Sequence, residues 1–176
     1  GSEPAFKPVP EGPIVRHSLD KPSPPATLPF LLRTPHDIDM FRYYTTAQLA
    51  ILSPGKAAQK VGKPAMYLSI SLSPDGRFVL ADRLVEPFSY LVGYDQFGHN
   101  YEVMESTGTV LATVAKVPLL VGLRRDGDST AGDLPRDIAW RPDGKGLTFL
   151  WMEPKDPKAD STDEAAVRKD RVMQLE

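Results

Sequence analysis

One pattern is written twice in this chain, and it limits the fold more than any other feature. The first copy reads Ile70-Ser-Leu-Ser-Pro-Asp-Gly-Arg-Phe-Val-Leu-Ala, and the second Ile138-Ala-Trp-Arg-Pro-Asp-Gly-Lys-Gly-Leu-Thr-Phe. Each begins with two apolar residues in alternation, Ile70 and Leu72 or Ile138 and Trp140. Period-two alternation is the mark of a strand with one buried face. In Pro-Asp-Gly the proline presets one φ, the aspartate bonds its own turn and the glycine takes a positive φ. Each copy therefore predicts a β-hairpin.

A second landmark keeps nearly the same interval. Glu102-Val103-Met104-Glu105 is echoed by Arg171-Val172-Met173-Gln174; the Asp-Gly pairs lie 68 residues apart and the Val-Met pairs 69. A four-stranded unit repeated along a chain is the sequence form of a β-propeller blade. The interval exceeds the roughly 40–50 residues of common blades, so each unit carries inserted loops. The plainer alternative is two ordinary hairpins of a β-sandwich.

The 176 residues fit one domain, and a composition with 18 prolines and 13 glycines suits strands and turns better than helices. Formal charge is near balance at −2, with lysines and arginines scattered. No basic stripe marks a nucleic-acid partner, and no apolar run of about 18 residues marks a membrane span. With no cysteine, disulfides and thiolate chemistry are excluded, while the compartment stays open.

Residues 1–33 read as an extended arm, in which Gly1-Ser2 resembles a cloning scar and Pro22, Pro24 and Pro25 oppose any central strand. Thr34-Pro35-His36-Asp37 predicts a helix start, with threonine capping, proline in the first turn and one or two turns following. His36 reads as a first-turn surface residue. Ala47–Ile51 and Ala57–Val61 predict a hairpin about Ser53-Pro54-Gly55. Tyr101–Glu105 and Val110–Val114 predict another about Ser106-Thr-Gly108. Residues 34–176 then read as incomplete blades: an outer half, a full blade from Tyr67 to Lys116, and an inner hairpin with a third strand at Arg171–Glu176. The predicted class is all-β, a partial propeller of about two blades. The charged insertion Glu153–Lys169 and the run Arg124–Gly132 read as solvated connections.

Chemistry is sparse. No Gly-x-Ser-x-Gly elbow, dinucleotide or Walker loop, or His-Glu-x-x-His occurs. The histidines at 17, 36 and 99 sit in segments with no shared partner, so no triad, metal or cofactor is expected, and the chain alone reads as non-enzymatic. The segment Glu86–Phe97 stands out for its four aromatics, since aromatics in connections are often anchors or binding contacts. The alternative is that they cover a blade edge.

A further set of features belongs together: Pro35-His-Asp, Tyr43-Tyr44-x-x-x-Gln48-Leu49, Ser73-Pro-Asp-Gly76, and Pro87-Phe-Ser-Tyr-Leu-Val92 with Tyr94 and Phe97. Glu102-Val103, Trp140-Arg141-x-Asp143, Leu147-x-x-x-Trp151-x-Glu153 and Asp170-Arg171-Val172-x-x-Leu175 complete the set. Together they resemble part of the N-terminal propeller of the prolyl oligopeptidase family of serine peptidases, in its glutamyl-endopeptidase-like branch. The resemblance implies a partner hydrolase domain bearing the catalytic serine, aspartate and histidine, and a propeller that restricts access and helps bind peptide. That hydrolase domain is absent here, so no catalytic residue carries over. On this reading Arg83 would meet an acidic side chain or terminal carboxylate, and Phe88, Tyr90 and Tyr94 would wall a peptide site. Open sheet edges would favour self-association between copies. The competing class is a self-standing β-repeat module that binds a protein or glycan.

Overall fold

The computed structural model describes residues 1–6, 31–121, 134–153 and 169–176. Most of the proline-dense arm, the Arg124–Gly132 run and most of the charged insertion fall outside the described residues. What is described is all-β with incomplete sheets and one α-helix.

The helix, α1 (Pro35–Thr45), begins as the sequence predicts. Thr34 is extended and its hydroxyl accepts the Asp37 amide at 3.2 Å, while Asp37 accepts the Thr34 amide at 2.9 Å. That reciprocal box satisfies two donors that a helix start leaves open. The helix is 11 residues long rather than one or two turns, and it carries Tyr43 and Tyr44. Within the helix Arg42 pairs with Asp39 at 2.8 Å, and tertiary contacts extend it further: Arg42 also pairs with Glu86 at 2.7 Å, and Phe41 enters an aromatic cluster. The side chains of Thr45 and Thr46 bond back to Phe41 and Arg42 carbonyls where the helix stops.

The chain then forms β1 (Thr46–Ile51) and β2 (Gln59–Leu72), joined through the predicted turn, where the Lys56 amide bonds Ser53 O. The weak return strand expected at Ala57–Val61 is only the start of β2, which runs on for 14 residues. Its first part pairs with β1 and its last part with β3 (Phe78–Leu84). Pairing with β1 slips between Ala47 and Leu49, opposite the Gly62-Lys-Pro64 stretch, so Pro64 sits in a bulge where its missing amide is tolerated. The Gln48 side-chain amide donates to Val61 O at 2.8 Å and closes that irregular patch.

From β3 the sheet continues antiparallel through β4 (His99–Glu105) and β5 (Val110–Val117), giving the order β1-β2-β3-β4-β5. The unit expected between Tyr67 and Lys116 is thus four neighbouring antiparallel strands. A second sheet has the order β6-β7-β8, formed by β6 (Arg136–Trp140), β7 (Leu147–Met152) and β8 (Asp170–Leu175).

Both Pro-Asp-Gly copies are hairpins of one geometry. Gly76 donates to Ser73 O at 2.8 Å with φ 70°, and Gly144 to Arg141 O at 3.0 Å with φ 71°. Asp75 accepts the Arg77 amide and Asp143 the Lys145 amide, each at 3.1 Å. Leu72 faces Val79 and Trp140 faces Leu147. The third strands differ by a two-residue slip: Val79 faces Met104, but Leu147 faces Leu175, and Met173 faces Phe149 instead. A two-residue slip keeps each side chain on its face, which is why the Val-Met echo survives it.

Adjacent residues of β3 look to opposite faces. On one face Val79, Ala81 and Met104 form a buried cluster with Leu49 of β1 and Tyr67 of β2. On the other, Phe78 stacks on Trp140 with centroids 6.5 Å apart, and Trp140 Nε1 donates to Ser71 O at 3.2 Å. The β3–β4 pair is therefore covered by the β1–β2 hairpin on one side and meets the second sheet on the other.

Candidate functional site

The expected site residues lie at the end of β3 and in the β3–β4 connection, and the structure gives them unequal surroundings. Arg83, paired across from Tyr67, turns its guanidinium to Glu102 of β4 at 2.5 Å. The ion pair fixes the head group and neutralises it; Arg83 Nε is buried with no hydrogen-bond partner among the described residues. Burial raises the pKa of the adjacent Tyr67, which the Arg83 charge opposes and the Glu102 charge reinforces.

Phe88 packs inward. Its ring stacks on Phe97 at 5.1 Å and meets Phe41 of α1 edge-on at 5.2 Å, beside the buried Leu84 and Val92. Tyr90 is half-buried, and Tyr94, first residue of a short 3-10 turn (Tyr94–Gln96), is exposed. No hydrogen bond, ion pair or ring contact joins these four residues to one another among the described residues. The connection thus divides into a part that anchors α1 to the sheet and a part that faces solvent.

A polar cluster beside them was not foreseen. His99 does have a partner: its Nδ1 lies 2.6 Å from Asp82 Oδ1, and both side chains are largely buried. Asp82 faces Tyr101 across the β3–β4 ladder, and the Tyr101 ring lies 5.4 Å from that of His99. Burial, the Asp82 charge and a hydrogen bond to Asp82 push the Tyr101 phenol up to about 12, with a further contribution from Asp137 of β6. Asp137 itself has φ 51°, uncommon for a residue other than glycine. A carboxylate on Nδ1 leaves Nε2 of a neutral imidazole as the proton acceptor. Among the described residues His99 bonds no serine or threonine hydroxyl. The only signal available in the sequence is period-two placement of Asp82 on one strand and His99 and Tyr101 on another. Pairing them requires the register.

No group of three or more histidine, cysteine, aspartate or glutamate side chains among the described residues could hold a metal ion. A cavity of about 540 Å³ lies at the other end of the sheet, lined by Leu49, Ile51, Leu52, Val61, Ile70 and Leu72 among others. It is apolar and holds none of the four expected site residues.

No protein-family model matches the chain, and no solved structure matches it. Two curated proteins do. Over 157 residues, 89% of this chain, it is 29% identical to a protein of Oryza sativa subsp. japonica named probable glutamyl endopeptidase, chloroplastic. Over 156 residues, 88% of the chain, it is 31% identical to the Arabidopsis thaliana protein of the same name. The chain spans only 16% of the length of each. Across nearly all of its own length, then, the chain is similar to a portion of proteins named as peptidases.

Proposed function

We propose that this chain is a propeller portion of a prolyl-oligopeptidase-like serine peptidase of the glutamyl-endopeptidase branch. Its role would be to restrict access and to contribute peptide contacts, with catalysis supplied by a hydrolase domain outside this chain. The observation that carries the reading is the similarity to two glutamyl endopeptidases over 88–89% of the chain. The long β2 adds support: one strand closes a hairpin with β1 and then opens the four-stranded unit β2–β5, so one unit leads directly into the next.

Within this reading Arg83 is the charged contact, and Tyr90 and Tyr94 are the accessible walls. Phe88 packs inward on Phe41 and Phe97 instead, so its part is to anchor the connection to α1. Because Glu102 already neutralises Arg83, a substrate carboxylate would have to share or displace that partner. The test is kinetic, in the full-length enzyme. Tyr90→Phe should lower kcat/KM by roughly five- to 150-fold, the worth of one polar interaction, with Tm unchanged, and Arg83→Ala should lower it beyond the loss of stability that follows from leaving Glu102 unpaired. Full activity in both variants, or activity lost only in step with stability, would reject the contact role. The 176-residue chain itself should not react with a fluorophosphonate serine probe, and stoichiometric labelling would reject the assignment.

A further inference from the structure

On the face of β3 and β4 that looks toward the second sheet, the side chains run apolar, polar, apolar. Phe78 meets Trp140 at one end, and Leu84 joins the cluster of Val92 and Phe97 at the other. Between them lies Asp82, only 6% exposed. A buried carboxylate is costly unless hydrogen bonds replace its water. Among the described residues Asp82 accepts from His99 Nδ1 at 2.6 Å and from the phenol of Tyr101. Tyr101 stands directly opposite Asp82 in the ladder, and His99, opposite Leu84, is two residues nearer the connection. One carboxylate thus ties two same-face positions of β4 to a single point of β3.

We propose that His99 is a positioning residue for the β3–β4 connection, fixing the stem from which Tyr90 and Tyr94 are presented; that they meet peptide rests on the function proposed above. His99 is the first residue of β4, where the connection re-enters the sheet. The backbone closes the stem there: Leu84 pairs with His99, and the Val85 amide bonds Gly98 O at 2.8 Å. Further out the connection is held by apolar side chains, Val92 and Phe97 against Leu84, and such contacts are non-directional. They let a stem tilt at small cost, whereas a short bond to an ionised group does not. Asp82 is not free to follow a tilting His99, because Tyr101 holds it from across the ladder. The Tyr101 phenol, pushed up to about 12 by burial first and then by the Asp82 charge, stays protonated and keeps donating. His99 is the side chain through which a fixed ladder becomes a fixed connection.

Three variants test this. His99→Leu keeps bulk and loses the donor, while His99→Asn places an amide N–H close to the position of the imidazole Nδ1–H. His99→Leu combined with Asp82→Asn removes the bond without leaving a buried charge short of a partner. In the 176-residue chain, His99→Leu and the double variant should speed hydrogen exchange at the Val85 and Phe97 amides. The rise should be about ten- to 100-fold, the worth of one hydrogen bond to a charged group, with Val79 and Leu80 near their original rates. In the full-length enzyme His99→Leu should raise KM by about five-fold or more with kcat unchanged, because fewer molecules hold the binding arrangement. His99→Asn should restore both readings. Unchanged exchange in the single and double variants, with Tyr90→Phe still impaired, overturns the positioning role alone. Equal acceleration along all of β3 and β4 in the double variant makes His99 a support of the sheet and overturns it too. A fall in kcat that His99→Asn leaves unrepaired would place His99 at the reacting atoms and likewise overturn it. Faster exchange with unchanged KM, and no effect of Tyr90→Phe, would overturn the proposal through the peptide-contact reading beneath it.

Discussion

Gly62 and Gly108 meet backbone to backbone, and the Gly62 amide bonds Thr107 O at 3.3 Å. A Cβ on Gly108 would overlap the Gly62 nitrogen, and its φ of 89° already disfavours other residues. Gly55 has a similar φ of 73° but opens onto free space. Gly55→Ala should therefore cost only the conformational penalty, about 1–2 kcal/mol, and Gly108→Ala measurably more, since backbone must move. Chemical denaturation of both variants checks this; equal losses would show that the close approach is not held. Tyr101 yields a second prediction. Its phenol, raised from 10 to about 12 first by burial and then by Asp82, favours the folded state while neutral. That contribution is fully present below pH 10 and is lost as pH rises through about 12. In an ultraviolet titration Tyr101→Phe should remove the last phenol to ionise, and Asp82→Asn should bring it earlier but still above the ordinary value. A last transition unchanged by Tyr101→Phe would rule the assignment out. Turn residues were legible in the sequence because Pro-Asp-Gly acts locally. The Gly62–Gly108 approach and the Asp82–His99 pair were not, because strand register alone brings them together.

At the scale of elements, the start of α1 was legible and its end was not. Thr34, Pro35 and Asp37 are local signals, whereas Tyr43 and Tyr44 remain helical through the contacts of Phe41 and Arg42 with the β3–β4 connection. Removing the cap hydroxyl with Thr34→Ala should cost about 0.5–2 kcal/mol. Asp37 makes the same cap dependent on pH. Burial alone would raise its pKa, but the Arg33 and Thr34 amides and the Thr34 hydroxyl outweigh that and hold it below 3.8. A lowered folded pKa means stability present above the unfolded value and lost as pH falls through the folded one. The stability gap between the parent chain and Asp37→Asn should accordingly be full at neutral pH and shrink below about pH 4. A gap that stays constant down to pH 2 would separate the cap from the carboxylate charge. The hairpins were read correctly because alternation and turn agree. The length of β2 was missed because Gly62 and Pro64 look like a break, yet the bulge opposite Gln48 absorbs both. The third-strand slip was invisible for a related reason: a two-residue shift changes partners without changing the apolar pattern.

In the whole molecule the two sheets are braced unequally. The β3–β4 pair is held on one face by Leu49 and Tyr67 and touched on the other by the β6–β7 hairpin. Across the described residues, the contacts that tie the second sheet to the first centre on Trp140, through Phe78 and Ser71 O, with Gly144 approaching Pro74. The 68-residue interval announced two equivalent units, but it could not announce this joint, since Phe78 and Trp140 occupy different places in their copies. Stability distributed in this way should let the second sheet open before the first. Trp140→Ala removes both the stacked ring and the indole donor while leaving the ladders within each sheet intact. Amides of β6 and β7 should then exchange hydrogen markedly faster, and those of β3 and β4 close to their original rates. Trp140→Phe separates the two contributions. It keeps a ring against Phe78 but loses the bond to Ser71, worth about 0.5–1.5 kcal/mol, so exchange in β6 and β7 should rise by about two- to 13-fold. If Trp140→Ala accelerates exchange equally in both sheets, they unfold as one unit and the unequal bracing has no energetic meaning. If neither sheet responds, the joint lies in contacts other than Trp140.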